Sequence, residues 1–217
     1  MDYAVIFDMD GVIVVSNPYH KKAWKQFLQK HEIGLSEEKL RRHVYGKTNL
    51  DILTYFFGKI DPEEISKYAN EKEKIYRKLI ENKIKTPDNL IEFLELLNKN
   101  KITCALATSA PPENVDFILD KLKIRKYFKA VLDETHVSKG KPSPEIYLKT
   151  AELIGFSPRK CIVIEDSLSG IKSGLSAGMK VVGITTSHSK KELSDATLVI
   201  DDFSELNLER LTNLIKR

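Results

Sequence analysis

The chain has 217 residues, of which 41% are hydrophobic, and its formal net charge is +4. This length suits one sizeable domain or a core domain that carries a smaller insertion, and the hydrophobic fraction supports a packed core. Basic and acidic residues are interspersed and no basic arm stands out, which excludes nucleic acid as the expected partner. No apolar run approaches membrane-spanning length, and the N-terminus does not resemble a secretory signal, so we expect a cytoplasmic protein.

The first predicted strand covers residues 4–7, which are β-prone and apolar. The pattern then becomes helical, with helix starts predicted at Asn17, Ser36 and Asp61. At two of these starts the next residue is proline, and acidic residues follow the capping residue at Ser36 and at Asp61. We therefore expect residues 16–84 to form an all-helical insertion that lies over the end of the first strand as a cap domain.

Strands and helices alternate in the rest of the chain. Strands are predicted at 102–107, 130–132, 161–164, 181–184 and 198–200, and helices near 88–100, 111–122, 143–155, 167–177 and 205–216. This alternation predicts an α/β fold, a doubly wound, Rossmann-like parallel sheet built from residues 1–15 and 85–217. Cys104 and Cys161 each lie in a strand-like run, so we expect buried thiols.

Two carboxylates follow the first strand directly. Asp8 and Asp10 are separated by one residue and followed by Gly11. Parallel α/β sheets bind their ligands at this end of the strands. Side chains two residues apart on an extended segment point the same way, so a divalent cation with oxygen ligands would relieve their repulsion. Acidic residues also serve as ordinary turn or cap residues after strands, and the motif alone leaves both interpretations open.

Three later segments bring further polar residues to the same edge of the predicted sheet. One strand ends in two hydroxyl residues, a lysine followed by proline lies in a loop that enters a helix, and another strand ends in two adjacent acids. These residues are Thr108, Ser109, Lys141, Glu165 and Asp166. Each has an ordinary structural alternative as a cap or surface residue. Together they provide carboxylates for a metal, a cation and hydroxyls for an anion, and a nucleophile, which are the components of phosphoryl transfer.

The order of these motifs resembles the haloacid dehalogenase superfamily, over essentially the whole chain. Asp8-Met9-Asp10-Gly11 is followed by Thr108, by Lys141-Pro142 and by Glu165-Asp166. The tracts 140–144 and 165–171 are similar to the subgroup that contains β-phosphoglucomutase and small sugar-phosphate phosphatases. The helical insertion resembles the small helical cap of that superfamily.

The resemblance implies a mechanism with a covalent intermediate. Asp8 would attack phosphorus and become a phosphoaspartate, and Asp10 would act as the general acid and then the general base. A Mg²⁺ ion would be held by the Asp8 side chain, the Asp10 backbone carbonyl and Asp166. Glu165 would be either a further metal ligand or a residue adjacent to the ligands.

The resemblance also assigns the phosphate-binding residues. Thr108 and the backbone N–H of Ser109 would hold phosphate oxygens, and Lys141 would neutralise developing charge and steady the nucleophile. The acid at position 10 argues against dehalogenation, which does not need it, and against the phosphonate-cleaving members of the superfamily, which look different there.

Substrate selection is expected in the cap. His20 matches the histidine that assists proton transfer in the mutase, although an ordinary first-turn helix residue is an equal alternative. The loop containing Gly46, Lys47 and Asn49 is where the subgroup selects its substrate, and the mutase pattern has an arginine at position 49. Because asparagine is neutral and a lysine is not a bidentate fork, a second phosphate would be held weakly.

We therefore expect a Mg²⁺-dependent phosphatase that acts on a small phosphorylated metabolite, with a sugar phosphate as the favoured substrate. β-Phosphoglucomutase is the alternative, and a non-catalytic binding or regulatory protein is the third interpretation. The expected partners include neither nucleic acid nor a membrane. The sequence specifies neither the substrate nor the oligomeric state.

Overall fold

The chain forms two compact units in the computed structural model, which describes residues 2–34, 36–44 and 48–216. One unit combines Met1–Val15 with Lys85–Arg217, and the other is Ser16–Ile84. The first unit is built around a β-sheet. The second contains helices and, among its described residues, no strand.

A parallel sheet forms the centre of the first unit. Its strands are β1 (Ala4–Phe7), β2 (Thr103–Ala107), β3 (Phe128–Leu132), β4 (Cys161–Glu165), β5 (Lys180–Ile184) and β6 (Leu198–Ile200). Their spatial order is β3-β2-β1-β4-β5-β6, and every neighbouring pair is parallel. Chain order therefore reverses between β1 and β4, where open α/β sheets bind ligands. The predicted α/β fold is confirmed, and each predicted strand lies within two residues of the observed one.

The central strands are buried along their whole length, which explains their continuous apolar sequence. Every residue of β1 and β4 is buried. Phe7, the last residue of β1, pairs with Leu106 of β2 on one side and with Ile164 of β4 on the other. The residues that follow these three positions therefore meet at one edge of the sheet.

Helices cover both faces of this sheet. The helices of the chain are α1 (Asn17–Lys30), α2 (Glu37–His43), α3 (Asn49–Phe57), α4 (Pro62–Ile80), α5 (Leu90–Lys99), α6 (Pro112–Leu122), α7 (Glu145–Ile154), α8 (Leu168–Ser176) and α9 (Leu208–Lys216). Ile6 belongs to the apolar core that also contains Tyr147 of α7 and Ile171 of α8. The next side chain, Phe7, packs edge-on against Phe93 of α5, with 6.2 Å between the ring centroids. Successive strand residues thus contact different helix layers.

The helical unit has its own apolar core and clear helix caps. Its buried cluster consists of Trp24, Phe27, Leu28, Leu40, Val44, Ile52 and Leu53. The Asp61 side chain accepts a hydrogen bond from the backbone N–H of Glu64 at 2.9 Å, immediately before α4. Ser36 caps α2 in the same way, accepting from the N–H of Lys39 at 3.2 Å. The three predicted helix starts are confirmed.

One helix of this unit replaces part of an expected loop. Asn49 is the first residue of α3, because the Thr48 side chain caps the helix by accepting from the N–H of Asp51 at 3.1 Å. The short segment gives little periodicity from which a helix could be predicted. Gly46 and Lys47, the other residues expected to select the substrate, lie outside the described residues.

Both cysteines are buried free thiols, as predicted. Burial raises the pKa of Cys104 and of Cys161 to about 12, which disfavours the thiolate form of both. Within the described ranges, no helix combines the length and apolarity needed to cross a membrane.

Candidate active site

Asp8 and Asp10 lie on a tight turn directly after β1. The Met9 carbonyl oxygen accepts hydrogen bonds from the backbone N–H groups of residues 12–14, at 2.8 to 3.3 Å. Gly11 has a φ of +80°, a conformation that favours glycine. The turn therefore folds back on itself and presents both carboxylates at the carboxyl end of the sheet.

A lysine bridges the ends of β1 and β4. The Lys141 Nζ donates to Asp8 Oδ1 and to Glu165 Oε1, each at 2.6 Å. The lysine side chain is 7% exposed, the aspartate side chain 9% and the glutamate side chain 1%. The backbone N–H of Asp8 also donates to the carbonyl of Ile164 at 3.0 Å. The two strand ends are thus joined by both backbone and charge.

Glu165 is saturated by hydrogen-bond donors. Its Oε1 accepts from Lys141 and from the Tyr147 hydroxyl, the latter at 3.0 Å. Its Oε2 accepts from the backbone N–H groups of Asp166 and Ser167, both at 2.9 Å, and from the Ser167 hydroxyl at 3.0 Å. A carboxylate has about four lone-pair sites, and five donors occupy them. Glu165 therefore serves to hold the surrounding donor groups in place.

The Lys141 ammonium remains charged in this buried position. Burial lowers its pKa, but the Asp8 and Glu165 carboxylates outweigh burial and raise the pKa well above its usual range. Burial likewise opposes ionisation of Glu165, yet Lys141 and the donors around it hold the pKa of that carboxyl below its usual value. The lysine and the glutamate thus form a buried ion pair.

An acidic cluster adjoins this ion pair. One carboxylate oxygen from each of Asp8, Glu165 and Asp166 lies within 4.8 Å of the others, and all three residues are buried. Burial is the largest cause that raises the pKa of Asp8, against the effect of Lys141. Burial, followed by the nearby carboxylates, raises the pKa of Asp166 well above its usual range. The raised pKa values show that the cluster resists full ionisation beside one ammonium alone, which fits a divalent cation with oxygen ligands.

The hydroxyl turn after β2 lies at the same sheet edge. Thr108 is buried, and its backbone N–H donates to the carbonyl oxygen of Leu132 at 3.0 Å. Its Oγ1 accepts a hydrogen bond from the backbone N–H of Ala110 at 3.1 Å. Ser109 is exposed. The structure therefore brings all predicted core-motif residues to one edge, namely Asp8, Asp10, Thr108, Ser109, Lys141, Glu165 and Asp166.

The described residues expected in the cap belong to a polar cluster inside the helical unit. The His20 ring stacks on Tyr76, with 3.8 Å between the centroids, and its Nδ1 lies 2.9 Å from Lys72 Nζ. Lys72 donates to Glu73 Oε1 at 2.7 Å, and the Asn49 amide donates to the same oxygen at 3.0 Å. Lys72 and Glu73 are both buried.

Some residues of these clusters were not predicted from the sequence. Tyr147 is an apolar-face residue of a predicted helix, and Lys72 and Glu73 lie in a helix rich in charged residues, so nothing local marks them. Residues 185–187 (Thr-Thr-Ser) do carry a mark, because they repeat the pattern of a strand followed by hydroxyl residues that singled out Thr108.

Replacing Tyr147 with phenylalanine removes one donor from Glu165 and leaves the packing intact. Hydrogen bonds to charged groups contribute about 1.5–3 kcal/mol, so we expect Tyr147→Phe to lower the free energy of unfolding by that amount. Tyr55→Phe is the matched control, since Tyr55 is 49% exposed. Loss of its hydroxyl should lower the free energy of unfolding by less than about 0.5 kcal/mol. Urea denaturation measures both. Equal stabilities of the two variants would contradict the anchoring role.

Comparison with known proteins agrees with this geometry. A family model described as haloacid dehalogenase-like hydrolase matches residues 5–184. A β-phosphoglucomutase from Bacillus subtilis is 34% identical over 218 residues, covering 96% of this chain and 93% of that protein. A phosphorylated carbohydrates phosphatase from Thermotoga maritima is 32% identical over 220 residues, covering 98% of each.

A solved structure gives the same result. The crystal structure of a haloacid dehalogenase-type hydrolase of family IA, variant 3, from Entamoeba histolytica aligns with a TM-score of 0.92 at 35% identity, covering all of both chains. The family match spans most of the sequence, and the relatives exceed 30% identity over nearly their whole length. The protein therefore belongs to the haloacid dehalogenase-like hydrolases.

Proposed function

We propose that the protein is a cytoplasmic, Mg²⁺-dependent phosphatase that hydrolyses a small sugar monophosphate through a phosphoaspartate on Asp8. The observation that carries the proposal is the buried Asp8 carboxylate, held by Lys141 next to an acidic cluster at the switch point of the sheet. The relatives named as a phosphorylated carbohydrates phosphatase and a β-phosphoglucomutase support a phosphorylated sugar as the substrate.

In this proposal Mg²⁺ is held by the carboxylates of Asp8 and Asp166 and by the backbone carbonyl of Asp10. Glu165 stays outside the ligand set, because protein donors already occupy both of its oxygens. The cost of ionising Asp8 and Asp166 beside a single ammonium supports a divalent ion. When bound, the ion screens the repulsion between the nucleophile and the anionic phosphate.

The side chains then divide the reaction between them. Lys141 holds Asp8 Oδ1, so Oδ2 attacks phosphorus while the bond to the leaving oxygen breaks. Asp10 donates a proton to that oxygen and later takes a proton from the water that attacks the phosphoaspartate. The Thr108 hydroxyl and the Ser109 N–H bind the phosphate oxygens. Phosphate leaves and the free Asp8 carboxylate is regenerated.

The polar cluster of the helical unit favours hydrolysis over the mutase reaction. A mutase that passes through a bisphosphate must hold a second phosphate. Asn49 is neutral, and its amide is bound to the buried Glu73 carboxylate, whose nearest cation, Lys72, is already bound to it. Lys72 neutralises this carboxylate, so the ion pair offers a second phosphate no net positive charge, and the neutral Asn49 amide adds none. As far as the structure describes it, this cluster supports a substrate with one phosphate.

Phosphate release tests the reaction and its nucleophile. We expect release from an aryl phosphate and from sugar monophosphates, abolished by chelation and restored by Mg²⁺. Asp8→Asn should lose about 10³-fold or more in kcat while keeping its circular dichroism spectrum, because only binding and electrostatic contributions remain. Asp2→Asn, which changes an exposed acid paired with Lys160, is the matched control and should match the wild type. Wild-type turnover in Asp8→Asn, or full activity after exhaustive chelation, would refute the proposal.

Product partitioning separates the phosphatase from the mutase. With β-glucose 1-phosphate and a trace of the 1,6-bisphosphate, we expect free phosphate to exceed glucose 6-phosphate, because water competes successfully for the phosphoaspartate when Asn49 supplies no cationic anchor for the bisphosphate. Asp8→Asn should form neither product. A large excess of glucose 6-phosphate from the wild type would replace the phosphatase with the mutase.

A further inference from the structure

A loop that none of the motifs includes binds both acidic turns of the site. Residues 185–187, the hydroxyl loop, follow β5 directly. Its three side chains donate to three different segments: Thr185 Oγ1 to Asp201 Oδ1 at 2.9 Å, Thr186 Oγ1 to the Gly11 carbonyl at 2.7 Å, and Ser187 Oγ to Asp166 Oδ2. Gly11 follows Asp10 in the chain. The loop therefore contacts the turn after β1 and the turn after β4 at once.

The topology of the sheet places this loop where both bonds can form. β5 is the neighbour of β4, and Gly183 pairs with Glu165. The backbone N–H of Thr185 donates to the carbonyl of Ile200 at 3.0 Å, which fixes the base of the loop to the end of β6. The hydroxyls of Thr186 and Ser187 thus extend from an anchored backbone, and each reaches a defined acceptor.

The bond to Asp166 has a direct consequence for metal binding. Asp166 is buried beside Glu165 and Asp8, and carboxylates repel one another at this distance. A donor on Oδ2 fixes the orientation of the Asp166 carboxylate within the acidic cluster. Removing a hydrogen-bond partner of this kind typically weakens metal binding by about 10–100-fold.

We propose that Ser187 and Thr186 are positioning residues of the metal site. Ser187 orients Asp166 as a metal ligand, and Thr186 fixes the turn that carries Asp10. The inference rests on the proposed function in one respect, since it takes the cation of this site to be Mg²⁺. A purely structural role of the loop would leave Mg²⁺ affinity unchanged, so affinity is the quantity to measure.

Isothermal titration calorimetry of the full chain with MgCl₂, without substrate, gives the Mg²⁺ dissociation constant directly. We expect Ser187→Ala to weaken binding about 10-fold and Ser187→Thr, which keeps the hydroxyl, to restore it. Ser189→Ala is the matched control, because Ser189 follows Ser187 by two residues and its hydroxyl donates to Glu192 at 2.6 Å instead of to Asp166. The Mg²⁺ affinity of this variant should equal that of the wild type. Thr186→Val should also weaken Mg²⁺ binding, because the turn that Thr186 holds carries the backbone carbonyl of Asp10, a proposed ligand.

The outcomes are distinguishable from a failure of the proposed function. Wild-type protein that binds Mg²⁺ but releases no phosphate would end the phosphatase proposal, while a weakened Ser187→Ala would still support the positioning role. Ser187→Ala with wild-type affinity, or an equal weakening in Ser189→Ala, overturns the inference. Circular dichroism checks the fold of each variant. If Ser187→Ala does not fold, Ser187→Cys is measured in its place, because cysteine has nearly the size of serine but is a weaker donor.

Discussion

The site depends on one buried ammonium shared by two buried carboxylates. Strand pairing places Asp8 and Glu165 side by side at the ends of the two central strands, and neither charge could be buried there without Lys141 at 2.6 Å from both. Breaking a buried pair by removing one partner costs about 3–5 kcal/mol, because it leaves an uncompensated charge. The lysine is therefore a condition for the fold of this edge as well as a charge for the proposed reaction. One ammonium does not offset all three carboxylates, since the pKa values of Asp8 and Asp166 stay raised, and a divalent cation would favour the ionised forms of both.

Two adjacent acids at the end of β4 have different tasks for a geometric reason. Glu165 is the last strand residue, and its side chain is enclosed by Lys141, Tyr147 and the first turn of α8. Gly170 of that helix approaches so closely that a Cβ there would lie 1.7 Å from Glu165 Oε1. Asp166 is past the strand and faces Asp8 and the hydroxyl loop. One acid thus fixes the lysine, and the next is available to a metal.

Much of the core could be predicted because its marks are local. Buried parallel strands are continuous apolar runs, and the residues that follow them in the chain lie at one edge in space, so Asp8 and Glu165 could be placed together without a structure. The contacts that could not be predicted join distant residues without a local pattern. Tyr147 reaches Glu165 across 18 positions, and Lys72 reaches His20 across 52. Periodicity shows that such side chains are on a helix but not which of them meet.

The helical unit shows how a polar cluster can indicate function where sequence patterns are silent. Lys72 and Glu73 are 3% and 5% exposed inside a small unit whose core is otherwise apolar. A buried ion pair seldom adds stability, since apolar side chains of similar volume are often as stable or more so. Stability alone therefore does not explain why this unit buries a lysine and a glutamate beside Asn49. The proposed role in substrate selection would explain it, because a fixed amide and ion pair can discriminate a hydroxyl from a phosphate, whereas an apolar wall offers no hydrogen bond to either.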